Sequence, residues 1–132
     1  MNEKQTILII DDDIDLVEIL RINLENAGFD VIDAQDGQTG IKLAQEKQPS
    51  AILLDVMMGV IDEGFQVAYQ LKQQPKTKDV PILMLTAVGQ QTGYKFDSEK
   101  DEDFLPVDEF IEKPVNPKRL VDLIRTHLTP TM

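Results

Sequence analysis

One short stretch of the sequence decides the fold class: Ile7-Leu8-Ile9-Ile10-Asp11-Asp12-Asp13. Four consecutive aliphatic residues are typical of a strand that is buried on both faces of a sheet. The three adjacent carboxylates at its end repel one another, so they have to share a proton or a cation. A second run of this kind, Ile52-Leu53-Leu54-Asp55, predicts that another buried strand brings a carboxylate to the same place.

The composition bounds the class of protein. The chain has 132 residues, of which 42% are hydrophobic, and a formal net charge of −11. This length suits one domain with a single core. The acidic balance argues against nucleic-acid binding, and the lack of cysteine excludes disulfides and thiolate metal sites. The sequence has neither a signal-peptide layout nor an apolar run that could span a bilayer, so we expect a cytoplasmic protein without membrane contact.

Strand and helix signals alternate along the chain. Short apolar runs predict five strands, at residues 7–10, 29–34, 51–54, 82–85 and 109–112. Helical spacing of apolar residues predicts helices between them, with Gly28, Pro49 and Pro75 just after helix ends. Asp36 and Asn116 are predicted N-caps. This alternation predicts an α/β fold with a doubly wound, five-stranded parallel sheet, the flavodoxin-like (βα)5 three-layer sandwich.

Residues 87–106 break the alternation. They include two glycines and a run of charges, and they show no regular apolar period. The fourth helix that symmetry places here is predicted to be irregular or replaced by a loop over Gly89–Pro106. Neither a linker nor a repeat is present, so we predict one domain over residues 1–132, with its core at about 5–128 and no output domain.

Polar residues follow or end four of the five predicted strands. They are Asp11 to Asp13, Asp55, Thr86 and Lys113. Open parallel sheets bind ligands at this edge, near the point where the strand order reverses. Clustered carboxylates without His or Cys favour a hard cation, above all Mg²⁺, which is typically completed by water and phosphate oxygens. A lysine and a threonine on the same rim suit those phosphate oxygens.

Four motifs in order carry a resemblance to a known family. They are Ile9-Ile10-Asp11-Asp12-Asp13, Leu53-Leu54-Asp55-Val56-Met57-Met58, Leu85-Thr86-Ala87 and Phe110-Ile111-Glu112-Lys113-Pro114. With these motifs the chain resembles, over nearly its whole length, the receiver domain of two-component response regulators, the family typified by the chemotaxis regulator.

The resemblance implies a phosphoacceptor rather than an enzyme. Asp55 would accept a phosphoryl group from a histidine kinase or a histidine phosphotransfer protein, with Mg²⁺ as the cofactor. Asp12 would bind Mg²⁺ directly and Asp11 mainly through water, while Asp55 and the carbonyl of Met57 complete the ligands from the protein. Lys113 would pair with Asp55 and then with the phosphoryl oxygens.

The same resemblance implies a switch that signals through protein–protein contact with a downstream effector. Thr86 would turn to hydrogen-bond the phosphoryl group, and Phe110 would follow it inward. The Lys113-Pro114 peptide is usually cis in this family. Asp13 is predicted to cap a helix instead of binding the metal, and His127 is predicted to be a surface residue compatible with the helix dipole.

Three departures from the family pattern carry expectations of their own. Gly59 replaces a usual proline, and Asp62-Glu63-Gly64-Phe65 has one extra residue, so we expect a longer loop beside Asp55. Met57 and Val88 are apolar at positions that commonly affect the hydrolytic water, which predicts slow self-dephosphorylation. The long Gly89–Pro106 segment argues against output through a standard fourth-helix face.

Other functions stay open at this point. The same fold can serve as an interaction module that works without phosphorylation. A magnesium-dependent hydrolase of the haloacid-dehalogenase type would use Asp11 and Asp13 as an Asp-x-Asp pair, but it needs a longer chain. A flavodoxin-like cofactor binder would place its phosphate where three aspartates repel it. An EF-hand fails because Leu16 and Ile22 stand where glycine and glutamate are required.

Overall fold

A computed structural model of the protein describes residues 5–55, 63–86 and 107–128. Their elements are β1 (Thr6–Ile10), α1 (Ile14–Asn26), β2 (Asp30–Ala34), α2 (Gly37–Lys47), β3 (Ala51–Asp55), α3 (Glu63–Gln73), β4 (Ile82–Thr86), β5 (Glu109–Glu112) and α4 (Pro117–Leu128). The five strands form one parallel sheet in the order β2-β1-β3-β4-β5. The chain leaves β1 for β2 on one side and returns to β3 on the other, so the strand order reverses between β1 and β3.

Two apolar layers cover the sheet, which confirms the predicted three-layer sandwich. Helices α1 and α4 pack on one face through Val17, Leu20 and Ile124, among others. Helices α2 and α3 cover the other face with residues such as Ile41 and Leu71. The apolar residues of β1 and β3, 7–10 and 51–54, are fully buried. A strand with neighbours on both sides and helices on both faces has no side exposed to water, and this explains its unbroken apolar sequence.

The helix ends follow the predicted capping chemistry. Asp13 accepts a hydrogen bond from the Leu16 amide at 3.2 Å, and Asp36 accepts one from the Thr39 amide at 2.8 Å. Asn116 caps α4 through the amides of the two residues after Pro117. Gly28 follows α1 with φ of +101°, a conformation that L side chains rarely adopt.

The structure moves a few of the predicted boundaries. Strand β2 begins at Asp30, one residue later than the predicted start at Phe29. The side chain of Phe29 is buried in the core beneath the Arg125 guanidinium. Leu128, predicted to be buried, is partly exposed because it lies at the last position of α4. The predicted irregular fourth helix and the loop after Asp55 lie outside the described residues. No helix in the described part of the chain is long and apolar enough to cross a membrane.

Candidate functional site

Sheet topology brings the predicted polar residues to one edge. The carboxyl ends of neighbouring strands are in register, with Ile10 opposite Leu54, Asp55 opposite Leu85, and Thr86 opposite Glu112. The residues that end or follow β1, β3, β4 and β5 therefore lie side by side. They surround the point where the strand order reverses, the usual ligand position in open parallel sheets.

Asp11 is the most unusual carboxylate of this edge because it is completely buried. Its main-chain amide donates to the carbonyl of Ala34 at 3.0 Å, and its Oδ1 accepts from the amide of Asp13 at 2.9 Å. Among the described residues, its buried Oδ2 atom has no hydrogen-bond partner. Burial, together with the nearby charge of Asp55, raises the pKa of Asp11 to about 6, although the hydrogen bond from Asp13 opposes this.

Three carboxylates converge at this edge of the sheet. Asp11, Asp12 and Asp55 each offer one oxygen, and the three oxygens lie within 4.8 Å of one another. Asp55 is 4% exposed, whereas Asp12 faces solvent. Three acids at this spacing repel strongly without a counter-charge, and so the cluster is suited to a cation.

Lys113 supplies positive charge to the cluster. Its Nζ lies 3.2 Å from Oδ1 of Asp55 and 3.8 Å from Oδ2 of Asp11. The Lys113 amide also donates to the carbonyl of Thr86 at 2.6 Å, which extends the contact between β4 and β5 beyond the strands. The Lys113-Pro114 peptide is cis, as the family resemblance implied. One amine therefore contacts two of the three acids.

Thr86 and Phe110 lie on the two strands nearest Lys113. Thr86 ends β4 and is 4% exposed, while Phe110 is half-buried and packs against the apolar layer beneath α2 and α3. Phe110 also lines a cavity of about 500 Å³ between β5 and α4, together with Ile111, Arg119 and Leu123. None of the three carboxylates of the acidic cluster lines this cavity.

The residues of the acidic cluster fit Mg²⁺. This ion prefers oxygen ligands at about 2.0–2.1 Å, takes one or two carboxylates and keeps several waters. The buried Asp11 Oδ2, which lacks a hydrogen-bond partner among the described residues, gives a physical reason for a cation here. The exposed Asp12 can rotate toward the same point. Of the predicted ligands, Met57 lies outside the described residues.

The structure shows three contacts that the sequence did not predict, two of them in the predicted site. The sequence predicted Asp13 as a helix cap but did not predict that its amide holds Asp11, since a main-chain donor leaves no mark in the sequence. It predicted that Lys113 pairs with Asp55 but missed the approach to Asp11. His127, predicted as a surface residue, is partly buried and contacts Glu109 at 3.1 Å.

The sequence matches known proteins over nearly its whole length. The family described as response regulator receiver domain matches residues 7–125. The chain is 40% identical over 127 residues to the DNA-binding dual master transcriptional regulator RpaA of Synechocystis, with 95% of this chain and 49% of that protein covered. It is 39% identical to the alkaline phosphatase synthesis transcriptional regulatory protein PhoP of Bacillus subtilis, with 91% and 46% covered. The chain thus spans about half the length of these curated relatives.

Solved structures share the fold. Chemotaxis protein CheY4 of Vibrio cholerae is 28% identical with a TM-score of 0.80, and the match covers 96% of this chain and 100% of that chain. The receiver domain of the sensor histidine kinase PA1611 from Pseudomonas aeruginosa is 22% identical, also with a TM-score of 0.80, and the match covers 97% and 100%. That receiver domain has a magnesium ion coordinated in its active-site cleft.

Proposed function

Since this chain belongs to the family of response regulator receiver domains, we propose that Asp55 is its phosphoacceptor and that Mg²⁺ and Lys113 assist the transfer. The observation that carries this proposal is the 3.2 Å contact between Lys113 Nζ and Asp55 Oδ1 beside two further acids. Phosphoryl transfer to a carboxylate uses a nucleophile, a metal ion that neutralises charge and a positively charged side chain near the phosphoryl oxygens. In this proposal Asp55 is the nucleophile, the acidic cluster binds the metal ion and Lys113 is the positively charged side chain.

In the proposed reaction, a carboxylate oxygen of Asp55 attacks phosphorus. The bond from phosphorus to the donor breaks as the new P–O bond forms, and the product is an acyl phosphate on Asp55. The donor nitrogen, or the oxygen of a small acyl phosphate, leaves with the electron pair. When bound, Mg²⁺ neutralises charge on the phosphoryl oxygens. Asp11, Asp12 and Asp55 would hold it, together with the carbonyl of Met57.

Lys113 and Thr86 act on the phosphoryl group in this proposal. Lys113 exchanges its ion pair with Asp55 for one with the phosphoryl oxygens, a short movement for a flexible side chain that already contacts Asp55. The Thr86 hydroxyl donates to the same group. Phe110, half-buried beside the cavity between β5 and α4, would then move inward and change the surface that a partner contacts.

The proposal is tested by weighing the intact protein after incubation with Mg²⁺ and acetyl phosphate. We expect a mass gain of one phosphoryl group, which is lost on addition of a chelator beforehand and lost in Asp55→Asn. Asp30→Asn is the matched control, since Asp30 is an exposed strand carboxylate at the opposite end of the sheet. An adduct that persists in Asp55→Asn contradicts the assignment of the nucleophile.

Other outcomes would favour another function. If the wild-type chain gains no mass and binds no Mg²⁺, a module that works without phosphorylation is the better description. Steady release of phosphate from monoesters would point to a hydrolase. A time course of the same experiment tests slow self-dephosphorylation, for which Met57 and Val88 are responsible in our proposal. The polar variant Met57→Asn should then lose the phosphoryl group faster than the wild type.

We propose a histidine kinase or a histidine phosphotransfer protein as donor, and a downstream effector that recognises the phosphorylated state by protein contact. The net charge of −11 favours a protein partner over nucleic acid for this domain. A pull-down with and without a phosphoryl mimic at Asp55 identifies such a partner. Proteins captured equally in both states would contradict a switch.

A further inference from the structure

We propose that Asp13 is a positioning residue for the metal site, because it sets the orientation of the Asp11 carboxylate while it caps α1. This inference rests on the proposed function, since it assigns a role in Mg²⁺ binding. Asp13 makes three hydrogen bonds at one point of the chain. Its amide donates to Asp11 Oδ1 at 2.9 Å, its side chain accepts from the Leu16 amide at 3.2 Å, and its carbonyl accepts from the Val17 amide at 3.0 Å.

The bond from the Asp13 amide decides which oxygen of Asp11 is available. With Oδ1 held by that amide, Oδ2 is left buried and without a hydrogen-bond partner in the described part of the chain. Oδ2 is also the atom that lies 3.8 Å from Lys113 Nζ. If the amide of Asp13 turned away, the Asp11 carboxylate could rotate, and neither of its oxygens would keep a fixed position.

The side chain of Asp13 keeps its own amide in place. As the N-cap of α1, Asp13 has the extended backbone angles φ −87° and ψ 96°, while the next residues are helical. Its carboxylate satisfies an amide of the first helical turn, which stabilises that transition. Residues behind a metal ligand commonly control affinity by fixing the ligand's orientation. Here the supporting group is a main-chain amide, and the cap is what fixes it.

The chain contains a matched control in the N-cap of α2. Asp36 is also an exposed aspartate with extended backbone angles, and it accepts from the Thr39 amide at 2.8 Å. No contact between Asp36 and the acidic cluster is present among the described residues. Replacing Asp36 therefore removes one negative charge and one helix cap, as replacing Asp13 does, but leaves the orientation of Asp11 intact.

The experiment measures the dissociation constant of Mg²⁺ by calorimetry for the full chain and for Asp13→Ala, Asp13→Asn and Asp36→Ala. Asn caps a helix about as well as Asp, so Asp13→Asn should stay within about two-fold of the wild type. Asp13→Ala should weaken Mg²⁺ binding by about three- to ten-fold. Both alanine variants should lower the Tm by about 3–6 °C, but Asp36→Ala should keep the wild-type affinity.

A second readout separates positioning from general damage. The Mg²⁺ concentration that gives half the maximal rate of phosphorylation by acetyl phosphate should rise in Asp13→Ala by the same factor as the dissociation constant, and it should not change in Asp36→Ala. The inference is overturned if Asp13→Ala binds Mg²⁺ as well as the wild type does. It is also overturned if Asp13→Asn is as weak as Asp13→Ala, since the charge would then matter and not the cap. A wild-type chain that binds no Mg²⁺ would instead refute the proposed function.

Discussion

Asp11 and Asp55, the buried acids of the site, stand at the ends of strands in the middle of the sheet, whereas Lys113 follows a strand at its edge. Residues 7–10 and 51–54 before the two acids are fully buried. Strand β5 has four residues, of which Ile111 alone is buried. The side chain of Lys113 remains 25% exposed, compared with 6% for that of Asp55 and none for that of Asp11.

This difference indicates how one sheet holds the carboxylates of Asp11 and Asp55 close together and also places a partly exposed lysine beside them. Burying the aliphatic strands contributes about 1.5–3 kcal/mol per side chain, and this opposes the repulsion between the two acids. The partly exposed side chain of Lys113 contacts both acids from the rim, and its ammonium group can turn toward another anion without disturbing the core. The acids are fixed by packing, and the amine is held mainly by their charge.

The largest expected effect comes from removing that amine. Lys113→Met leaves Asp11 and Asp55 buried without the cation that contacts both, so it should lower the free energy of unfolding by about 3 kcal/mol. Urea denaturation without Mg²⁺ measures the loss. Saturating Mg²⁺ should recover part of it, because the ion supplies positive charge at the same point.

Lys72→Met is the control for this comparison. The Lys72 side chain is 22% exposed, close to the value for Lys113, and its Nζ lies 3.2 Å from Oδ2 of Asp108. Asp108, however, is 39% exposed, so water can solvate its charge after Lys72 is gone. We expect a smaller loss that Mg²⁺ does not reverse. Lys72 Nζ also donates to the carbonyls of Lys78 and Val80, so the deciding result is the recovery by Mg²⁺. Equal recovery in both variants would contradict this role of Lys113.

The next largest effect is the pH dependence that Asp11 gives to the free energy of unfolding. The pKa of Asp11 is about 6 in the folded protein, compared with 3.8 for an ordinary aspartate. Between these values the folded state binds a proton that the unfolded state does not, so stability rises as the pH falls and is lost as the pH rises through 6. Without Mg²⁺, we expect a gain of about 2 kcal/mol between pH 7 and about pH 4.5.

Asp11→Asn isolates this contribution. The variant has no carboxyl group to titrate, so its unfolding free energy should lack the Asp11 part of the pH dependence and should exceed that of the wild type at pH 7. Asp36 acts in the opposite direction, because hydrogen bonds from Thr39 lower its pKa and its contribution to stability is therefore lost as the pH falls. A gain between pH 7 and 4.5 that persists in Asp11→Asn would assign the effect to other groups.

The positions of Asp11 and Asp55 and the fold around them were largely predictable from the sequence. A run such as Ile7–Ile10 has no polar face, so the strand that it forms is expected to be buried on both faces. A strand of this kind belongs in the middle of a parallel sheet. Asp55 is located by the same logic in β3. The helix caps Asp36 and Asn116 were predictable because their interactions are local, with partners two or three residues away.

Two contacts between distant elements were not predicted from the sequence. The approach of Lys113 to Asp11 depends on the path of the chain after β5, and no spacing rule encodes it. The same holds for Gly40, which the predicted second helix includes as one residue among others. In the structure α2 passes so close to β1 that a Cβ atom on Gly40 would lie 2.5 Å from Ile10 Cδ1 and 2.7 Å from Cγ1.

The smallest expected effect therefore tests how firmly packing fixes the end of β1, directly before Asp11. Gly40→Ala adds a methyl group against Ile10, the residue directly before Asp11, so α2 or the end of β1 has to shift. Overpacking of this kind costs about 1–3 kcal/mol, while alanine in a helix regains about 1 kcal/mol relative to glycine. We expect a net loss of about 1 kcal/mol in urea denaturation, with slightly weaker Mg²⁺ binding.

A double-mutant cycle with Ile10→Val attributes that loss to the contact. Valine lacks the Cδ1 atom that a new Cβ at position 40 would meet first, so it should relieve part of the crowding. Gly40→Ala should then cost less in the Ile10→Val background than in the wild type, by about 0.5–1 kcal/mol. If the two changes are additive, the methyl group is accommodated elsewhere. The end of β1 is then less tightly held than the burial of residues 7–10 indicates, and its contrast with the partly exposed Lys113 is weaker.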